Sequence, residues 1–207
     1  SDSQLTRVSK FLDEFEESMK KYDSLVGQNQ IFIGRTANVG QLSKEQCFEY
    51  GLTGCLLRGS GVKWDLRKEQ PYSIYEEFDF DVPVGRGEKG VLGDCWDRYS
   101  VRVQEIFESI KIVRQAIAKI EDGPIMGKVP KVIKLPKGEI YMRTECPRGE
   151  LGYHIVSDGG KKPYRVKVKS PCFTNVSVLP ELAPGQMVAD FVATIGSVDI
   201  VLGEVDR

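Results

Sequence analysis

The first part of the chain has the hydrophobic period of an amphipathic helix. Apolar side chains recur every three or four residues, which places them on one face of an α-helix, at Leu5, Val8, Leu12, Phe15, Met19 and Tyr22. Charged residues occupy the other faces, and Gly27 and Asn29 are typical of a helix end. The pattern predicts one long helix here.

A second and stronger helical pattern follows later in the chain. Its apolar residues recur at alternating spacings of four and three, at Tyr99, Val103, Ile106, Ile110, Val113, Ile117 and Ile120. The helix is expected to begin near Asp94 and to end before Gly123-Pro124. Two such helices need partners, and a helical bundle is the natural arrangement. Their surplus apolar surface predicts that some partner helices lie outside this chain.

Between these helices, residues 34–92 are rich in glycine and lack a clear period. Only Ser43–Tyr50 indicates a short helix, with Ser43 as its N-cap. The remainder is predicted to be a long irregular segment, of a kind that often lies at a binding surface.

From Lys131 onward the hydrophobic period changes to two, which predicts strands at 139–145, 152–157 and 164–169. Val166 and Val168 are expected to point inward, and Asp158-Gly159-Gly160 to form the turn before the last strand. A final helix is predicted from about Pro184 to Ile195, closed by Gly196.

Together these elements predict an α+β fold, with long helices of a helical bundle and a small, mainly antiparallel sheet. Residues 1–125 would hold the bundle helices and the long glycine-rich loop. Residues 126–207 would form a small β subdomain with the terminal helix and a C-terminal tail.

Composition narrows the classes of partner. Lys+Arg 29 against Asp+Glu 30 gives a net charge of -1, which argues against nucleic acid as the main partner. The five cysteines include no CxxC pair and there is one histidine, so reduced thiols are expected and a self-contained zinc or iron–sulfur site is not. We expect no metal or cofactor to be bound by this chain alone.

Two motifs have ordinary structural explanations. Residues 85–90, Gly-Arg-Gly-Glu-Lys-Gly, match the GxGxxG pattern of dinucleotide-binding turns. Pro83 interrupts the preceding segment, the helix starts only near Asp94, and no βαβ unit surrounds the motif, so a dinucleotide site is not expected. Residues 62–68 mix aromatic and basic side chains, and the balanced charge favours a loop packed by Trp64 in which Asp65 pairs with Arg67 or Lys68 over a nucleic-acid patch.

Three further features leave alternatives open. Residues 145–150, Glu-Cys-Pro-Arg-Gly-Glu, form either a solvated loop or one that holds Arg148 in a pocket, where its guanidinium could orient a carbonyl or an anion. His154 lies within a predicted strand, where a structural role is the commoner one. Asp199 interrupts an apolar run and either faces water at a strand edge or lies in a pocket with a raised pKa.

Several long motifs, in order, closely resemble one known family. Leu52-Thr53-Gly54, residues 57–68, Pro71–Tyr75, residues 78–85, Gly93–Tyr99 and the ending Gly203–Arg207 are similar to the D subunit of NADH:quinone oxidoreductase, the hydrogenase-like subunit of complex I. The resemblance covers essentially the whole chain but only about the second half of the family. Residues 145–152 also resemble a loop of the nickel–iron hydrogenase large subunit, in which an arginine overhangs the metal.

The resemblance implies a hydrogenase-like fold and a quinone-binding chamber in place of a metal site. Quinone-binding residues are expected at Arg148, Gly149, Asp199, Val201 and Leu202. The headgroup-contacting histidine and tyrosine of the family belong to its N-terminal half, so no catalytic residue is expected in this half and no activity from the isolated chain.

The resemblance also implies partners and a location. The small B subunit would hold the terminal iron–sulfur cluster beside the quinone, and the other partners would be the C subunit, a ferredoxin-like subunit and the N-terminal half of the D subunit itself. The assembly would lie in the peripheral arm of a membrane complex, on the cytoplasmic face of the bacterial inner membrane or the matrix side of the mitochondrial one. The alternatives are an equivalent ferredoxin- or F420-linked membrane oxidoreductase, and a non-catalytic scaffold module.

Overall fold

The computed structural model describes residues 2–124 and 126–206 and has the predicted α+β fold. Its helices are α1 (Asp2–Val26), α2 (Gln30–Thr36), α3 (Lys44–Glu49), α4 (Cys55–Gly59), α5 (Leu66–Glu69), α6 (Cys95–Lys119), α7 (Pro171–Val176), α8 (Leu179–Leu182), α9 (Val188–Val198) and α10 (Leu202–Val205). The strands are β1 (Gly138–Cys146), β2 (Gly149–Ser157) and β3 (Arg165–Lys169). Among the described residues, none of the helices has both the length and the hydrophobicity needed to cross a bilayer.

Both long helices lie where the apolar periods predicted them. The Asp94 side chain caps α6 by accepting a hydrogen bond from the Asp97 backbone N–H, and Ser43 caps α3 in a reciprocal capping box with Gln46. The buried Arg98 of α6 donates to the carbonyls of Gly40 and Gly93 and so ties the helix to the glycine-rich segment.

The glycine-rich segment is more ordered than predicted. It contains α4, α5 and a 3-10 helix at Tyr75–Glu77, each too short to produce a visible hydrophobic period. The apolar residues of α4 help form a core that continues into the C-terminal helices, including Leu42, Leu52, Leu56, Leu57, Val178, Leu182 and Val198. Burial against distant parts of the chain therefore stabilises elements with little local signal.

The glycines at 85–90 serve packing. A Cβ on Gly85 would lie 1.9 Å from the Gly59 carbonyl oxygen, so only glycine permits this approach. The carboxylate of Asp97 accepts hydrogen bonds from the backbone N–H groups of Arg86, Gly87 and Gly93. The motif thus wraps around the first turn of α6, and the described sheet is antiparallel, without the βαβ unit that a dinucleotide site requires.

The sheet has the order β1-β2-β3, with antiparallel pairing throughout. Its strand positions agree with the period-two pattern. The inward orientation predicted for Val166 is wrong, because this side chain is 46% exposed. It lies on the same face as Ile140, Met142 and Tyr153, which are also exposed. No layer of the described chain covers that face.

The C-terminal region corrects two further predictions. The last long helix is α9, which begins four residues after Pro184, and Gly196 lies inside it. Asp199 ends α9 in a left-handed conformation, with φ 59° and ψ 56°, a geometry that Asp tolerates better than most residues. Asp199 is therefore a helix cap and not a strand residue, and the tail after it forms the short helix α10.

A stripe of large apolar side chains on α1 and α6 is exposed, including Phe11, Tyr22, Leu25, Val113 and Ile120. Grooves between the two helices are lined by Phe11, Phe15, Ile106, Ile110 and neighbouring residues. Single exposed apolar residues are common on protein surfaces, whereas a contiguous stripe is typical of a surface that another element covers.

We therefore expect the 207-residue chain, studied without partners, to self-associate and to bind a hydrophobic dye. Each buried Leu, Ile or Phe contributes about 1.5–3 kcal/mol, so the double variant Phe11→Gln with Leu25→Gln should weaken the association measurably. Light scattering checks this, with Val188→Gln, an exposed position on α9, as the control. A clean wild-type monomer with low dye binding would contradict the expectation.

Candidate functional site

The candidate site is organised by the turn between β1 and β2. Pro147 and Arg148 connect the paired residues Cys146 and Gly149. Gly149 has a φ of 131°, and a Cβ there would lie 2.4 Å from the Thr53 hydroxyl oxygen. The turn is therefore pressed against the residues that precede α4.

Gly54, which precedes α4, contacts the same turn. Its φ is 69° and ψ -144°, close to the region that only glycine adopts. A Cβ on Gly54 would lie 2.4 Å from the carbonyl oxygen of Arg148. The Asn175 side chain also donates to that carbonyl, at 3.0 Å. These contacts fix the backbone that carries Arg148.

From this backbone, the guanidinium of Arg148 reaches the cap of α9. Its Nε donates to the Asp199 carbonyl oxygen at 3.1 Å and lies 3.4 Å from the carboxylate Oδ2. The two side chains are 29% and 42% exposed. The structure thus brings together two of the predicted site residues that are 51 positions apart in sequence.

The other predicted residues follow the members of this pair in the chain. Gly149 supplies the close approach of the turn. Val201 and Leu202 follow Asp199 and are 37% and 71% exposed. The tail that carries them is held on α7, where the Ser170 hydroxyl donates to the Glu204 carboxylate at 3.0 Å.

A cavity of about 420 Å³ opens next to Asp199, whereas Arg148, Gly149, Val201 and Leu202 do not line it. Asp199, Cys146 and Pro147 line one part of it. The rest is lined by Arg58, Arg67, Tyr75, Arg102, Glu105, Ile106, Ser109 and Glu145. Charged groups and the apolar side chains of Ile106 and Pro147 therefore share one concave surface.

A buried ion cluster forms the floor of this cavity. Arg58, 1% exposed, donates from Nε to Glu105 at 2.5 Å and from one terminal nitrogen to Glu145 at 2.8 Å. Beside it, Arg67 binds the carboxylate of Asp65 through two side-chain nitrogens, at 3.0 and 2.7 Å. The Asp65–Arg67 pair agrees with the loop predicted for residues 62–68.

Burial sets the protonation of this cluster. It raises the pKa of the Glu145 carboxyl group, against the opposing effect of Arg58. Burial and the nearby Glu105 carboxylate raise the pKa of the Cys55 thiol to about 12. Cys55 is therefore a neutral thiol at physiological pH and donates to Glu105 at 3.2 Å.

Comparison with known proteins identifies the family. The family model for the 49 Kd subunit of respiratory-chain NADH dehydrogenase matches residues 1–207. The chain belongs to this family. It is 50% identical over 206 residues to the D subunit of NADH-quinone oxidoreductase from Bacillus cereus, and 49% identical to the proteins of that name from Bacillus mycoides and Bacillus anthracis.

Each alignment covers 99% of the chain but 55% of the relative, so the chain spans about half the length of the curated relatives it matches. The matched region is the C-terminal part of those relatives. Membership in the family confirms the resemblance drawn from the sequence motifs.

Sequence reasoning missed Arg58 and Glu105 as parts of the site. Each had a detectable signal, since Arg58 interrupts the apolar run of α4 and Glu105 adjoins Ile106 on the apolar side of α6. His154 does not line the cavity and instead lies 2.5 Å from Glu139 on the sheet surface. Among the described residues, no group of three or more His, Cys, Asp or Glu is arranged to hold a metal ion.

The contact at Gly54 predicts a graded loss of stability. Gly54→Ala should destabilise the chain by about 2–5 kcal/mol, because a disfavoured backbone conformation and a clash with Arg148 add together. Gly51→Ala is the control, since its φ is also positive, 62°, but nothing lies within 4 Å. Gly51→Ala should cost only about 1–2 kcal/mol in urea denaturation. Equal losses for both variants would contradict the packing argument.

Glu145 in the ion cluster and Glu150 beside Arg143 and Lys169 have pKa values shifted in opposite directions, which predicts opposite pH dependences. Because the folded-state pKa of Glu145 is raised, its stabilising contribution is largest below its ordinary pKa and is lost as pH rises through the folded value. The stability of wild type relative to Glu145→Gln should therefore fall as pH rises from about 4 to 7.

Glu150 is the matched control. Burial opposes ionisation there, but hydrogen bonding from Lys169 and the charges of Lys169 and Arg143 lower its pKa overall. Its contribution is present above its ordinary pKa and is lost on acidification, so wild type relative to Glu150→Gln should gain stability over the same pH range. Urea denaturation at several pH values measures both, and slopes of the same sign would contradict the assignment.

Proposed function

We propose that this chain forms one wall of a quinone-binding chamber in a respiratory NADH:quinone oxidoreductase. The observation that carries the proposal is the Arg148–Asp199 pair, in which Arg148 contacts an Asp199 that lines a cavity of about 420 Å³. Family membership supports it, since the relatives are named as the D subunit of NADH-quinone oxidoreductase. A cavity of a few hundred cubic ångströms is of the size that small-molecule sites commonly have.

The chemistry of the wall suits a quinone. A quinone ring is apolar, while its carbonyl oxygens gain negative charge on reduction and then take up protons. Ile106 and Pro147 line the cavity with apolar surface, and Val201 and Leu202 follow the cavity-lining Asp199 in the chain. The guanidinium of Arg148 would stabilise negative charge on the reduced headgroup, directly or by orienting Asp199. Asp199 would serve as part of a proton or charge relay.

Fixed geometry matters for this role. A donor stabilises developing charge best when it is already in position, because no reorganisation is then needed during the reaction. Gly54 and Gly149 allow the backbone contact that holds the Arg148 turn. Gly149 is therefore a positioning residue for the guanidinium, and its lack of a side chain is the property that the site requires.

The remaining parts of the proposal lie outside this chain. The B subunit would hold the iron–sulfur cluster that supplies electrons, and reduction of the quinone would be coupled to proton translocation by the whole complex. The N-terminal half of the D subunit, the C subunit and the ferredoxin-like subunit would complete the peripheral arm. The chain alone would not be active.

Substitution of Arg148 in the assembled complex tests the proposal. Arg148→Ala should slow quinone reduction by about tenfold or more while the iron–sulfur cluster is still reduced by NADH. Arg148→Lys should recover part of the rate, because the charge remains but the planar donor pair is lost. Leu202→Met nearly conserves volume and should change inhibitor sensitivity more than complex yield.

Arg165→Ala is the matched control, since Arg165 is exposed on β3 and pairs with Val156, at the opposite end of β2 from the Arg148 turn. If the chain is instead a non-catalytic scaffold, Arg148→Ala and Leu202→Met should reduce the yield of assembled complex and leave the turnover per complex unchanged. Wild-type quinone kinetics and inhibitor binding in Arg148→Ala and Leu202→Met would overturn the chamber assignment.

A further inference from the structure

Residues 128–137 contain a short repeat that the quinone chamber does not use. Lysines recur at every third position, Lys128, Lys131, Lys134 and Lys137, and an apolar residue with a proline or two apolar residues fill each interval. From Gly123 to Gly138 there is no acidic residue. In an extended backbone with three residues per turn, which prolines favour, all the lysines would share one edge, about 9 Å apart.

The repeat belongs to a strongly basic part of the chain. Residues 123–169 contain 11 Lys and Arg against 4 Asp and Glu, a net charge of +7. The whole chain carries -1, so the remaining residues carry -8. The net charge of the whole chain is therefore near zero because a basic part and an acidic part nearly cancel.

The structure places the repeat on the surface between α6 and β1. Its four lysines are exposed, and so are Val129, Val132, Ile133 and Leu135, at 60%, 53%, 60% and 38%. The segment from 120 to 137, described except for residue 125, has neither helix nor strand. Exposed lysines and exposed apolar side chains thus alternate along one irregular strip, which we call the basic strip.

The basic strip lies at the opposite end of the sheet from the candidate site. The Ser157 hydroxyl donates to the Leu135 carbonyl at 3.2 Å, which anchors the strip beside the end of β2. The β1–β2 hairpin then extends nine residues to the Pro147-Arg148 turn. At about 3.3 Å per residue, the strip and the turn are separated by roughly 30 Å.

We propose that the basic strip binds the surface of an anionic lipid bilayer, with lysines on the headgroups and the intervening Val, Ile and Leu side chains in the interfacial layer. Clustered lysines gain affinity for anionic lipids additively, and apolar side chains add interfacial burial. An irregular backbone keeps its N–H and C=O groups in contact with water, which the headgroup region supplies. A fluid lipid surface also requires no shape complementarity. It therefore suits a strip without regular structure better than an acidic protein would, because a protein groove must fit the shape of its ligand.

Vesicle co-sedimentation of the 207-residue chain tests the proposal independently of the quinone chamber. The chain should bind vesicles containing phosphatidylserine in phosphatidylcholine and should bind pure phosphatidylcholine weakly. Changing all four strip lysines to Gln should reduce binding by at least tenfold, since each lysine contributes on the order of fivefold. Raising the salt concentration should weaken wild-type binding.

The control variant changes Lys10, Lys21, Lys63 and Lys89 to Gln, which removes the same charge from exposed positions outside the strip. It should keep near-wild-type binding, and circular dichroism should show that both variants remain folded. Val132→Ser with Ile133→Ser should weaken binding without changing its salt dependence, which tests the interfacial role of the apolar residues.

Three outcomes would overturn the proposal. The first is absence of binding to anionic vesicles at about 0.1 M salt, where charge attraction still extends about 10 Å. The second is an equal loss of binding in the strip and control variants, which would indicate a general charge effect. The third is protection of the strip lysines from amine acetylation in an assembled, lipid-depleted complex, which would identify an acidic protein surface as the occupant.

Discussion

The arrangement of the site depends on one buried guanidinium. Arg58 lies on α4 and donates to Glu105 on α6, to Glu145 on β1 and to the carbonyl of Trp64. A buried charge is tolerated only when its hydrogen-bonding capacity is satisfied, and loss of one partner typically costs about 3–5 kcal/mol. These hydrogen bonds therefore require α4, α6 and β1 to keep fixed relative positions. The floor of the cavity is the surface where the three elements meet.

The Arg148–Asp199 pair depends on that framework. Both side chains are partly exposed, and an exposed ion pair contributes only about 0–1 kcal/mol, too little to organise the surrounding backbone. The backbone is instead fixed by the glycine contacts at Gly54 and Gly149, and by the left-handed cap at Asp199. The polar groups at the cavity are thus free to interact with a ligand, because their positions are maintained by packing beneath them.

The β1–β2 hairpin joins regions of different character. Its turn is packed tightly against α4 and is surrounded by buried ionic groups, whereas its open end is exposed and basic. One face of the sheet and a stripe on α1 and α6 expose large apolar side chains. Such surfaces are common where the chains of a complex meet, and the relatives are named as parts of an oxidoreductase complex. A protein with this surface distribution is suited to assembly around a cavity that it only partly encloses.

Elements with a strong local hydrophobic period could be predicted without coordinates. The helices α1 and α6, the capped helix α3 and the strand positions followed from the spacing of apolar residues and from cap residues such as Ser43 and Asp94. The motifs from Leu52 to Tyr99 also determined the family, because side-chain identities in order carry that information without any coordinates. Arg148 was singled out as the arginine of the charged segment 145–150, and Asp199 as an acid within an apolar run.

The contacts that those residues make follow from the fold and could not be read from local sequence. Helix α4 spans little more than one turn, so burial of Leu56 and Leu57 in a core shared with Val178 and Val198 specifies it more than local propensity does. The partners of Arg58 lie 47 and 87 positions away, and no local pattern encodes such a contact. Asp199 became a helix cap and not a strand residue because α9 continues past Gly196 to a left-handed end. The local pattern of apolar residues specifies the periodic helices and strands. The ion cluster is different, because a buried charged group needs partners, and these lie far away in sequence and are brought near only by the fold.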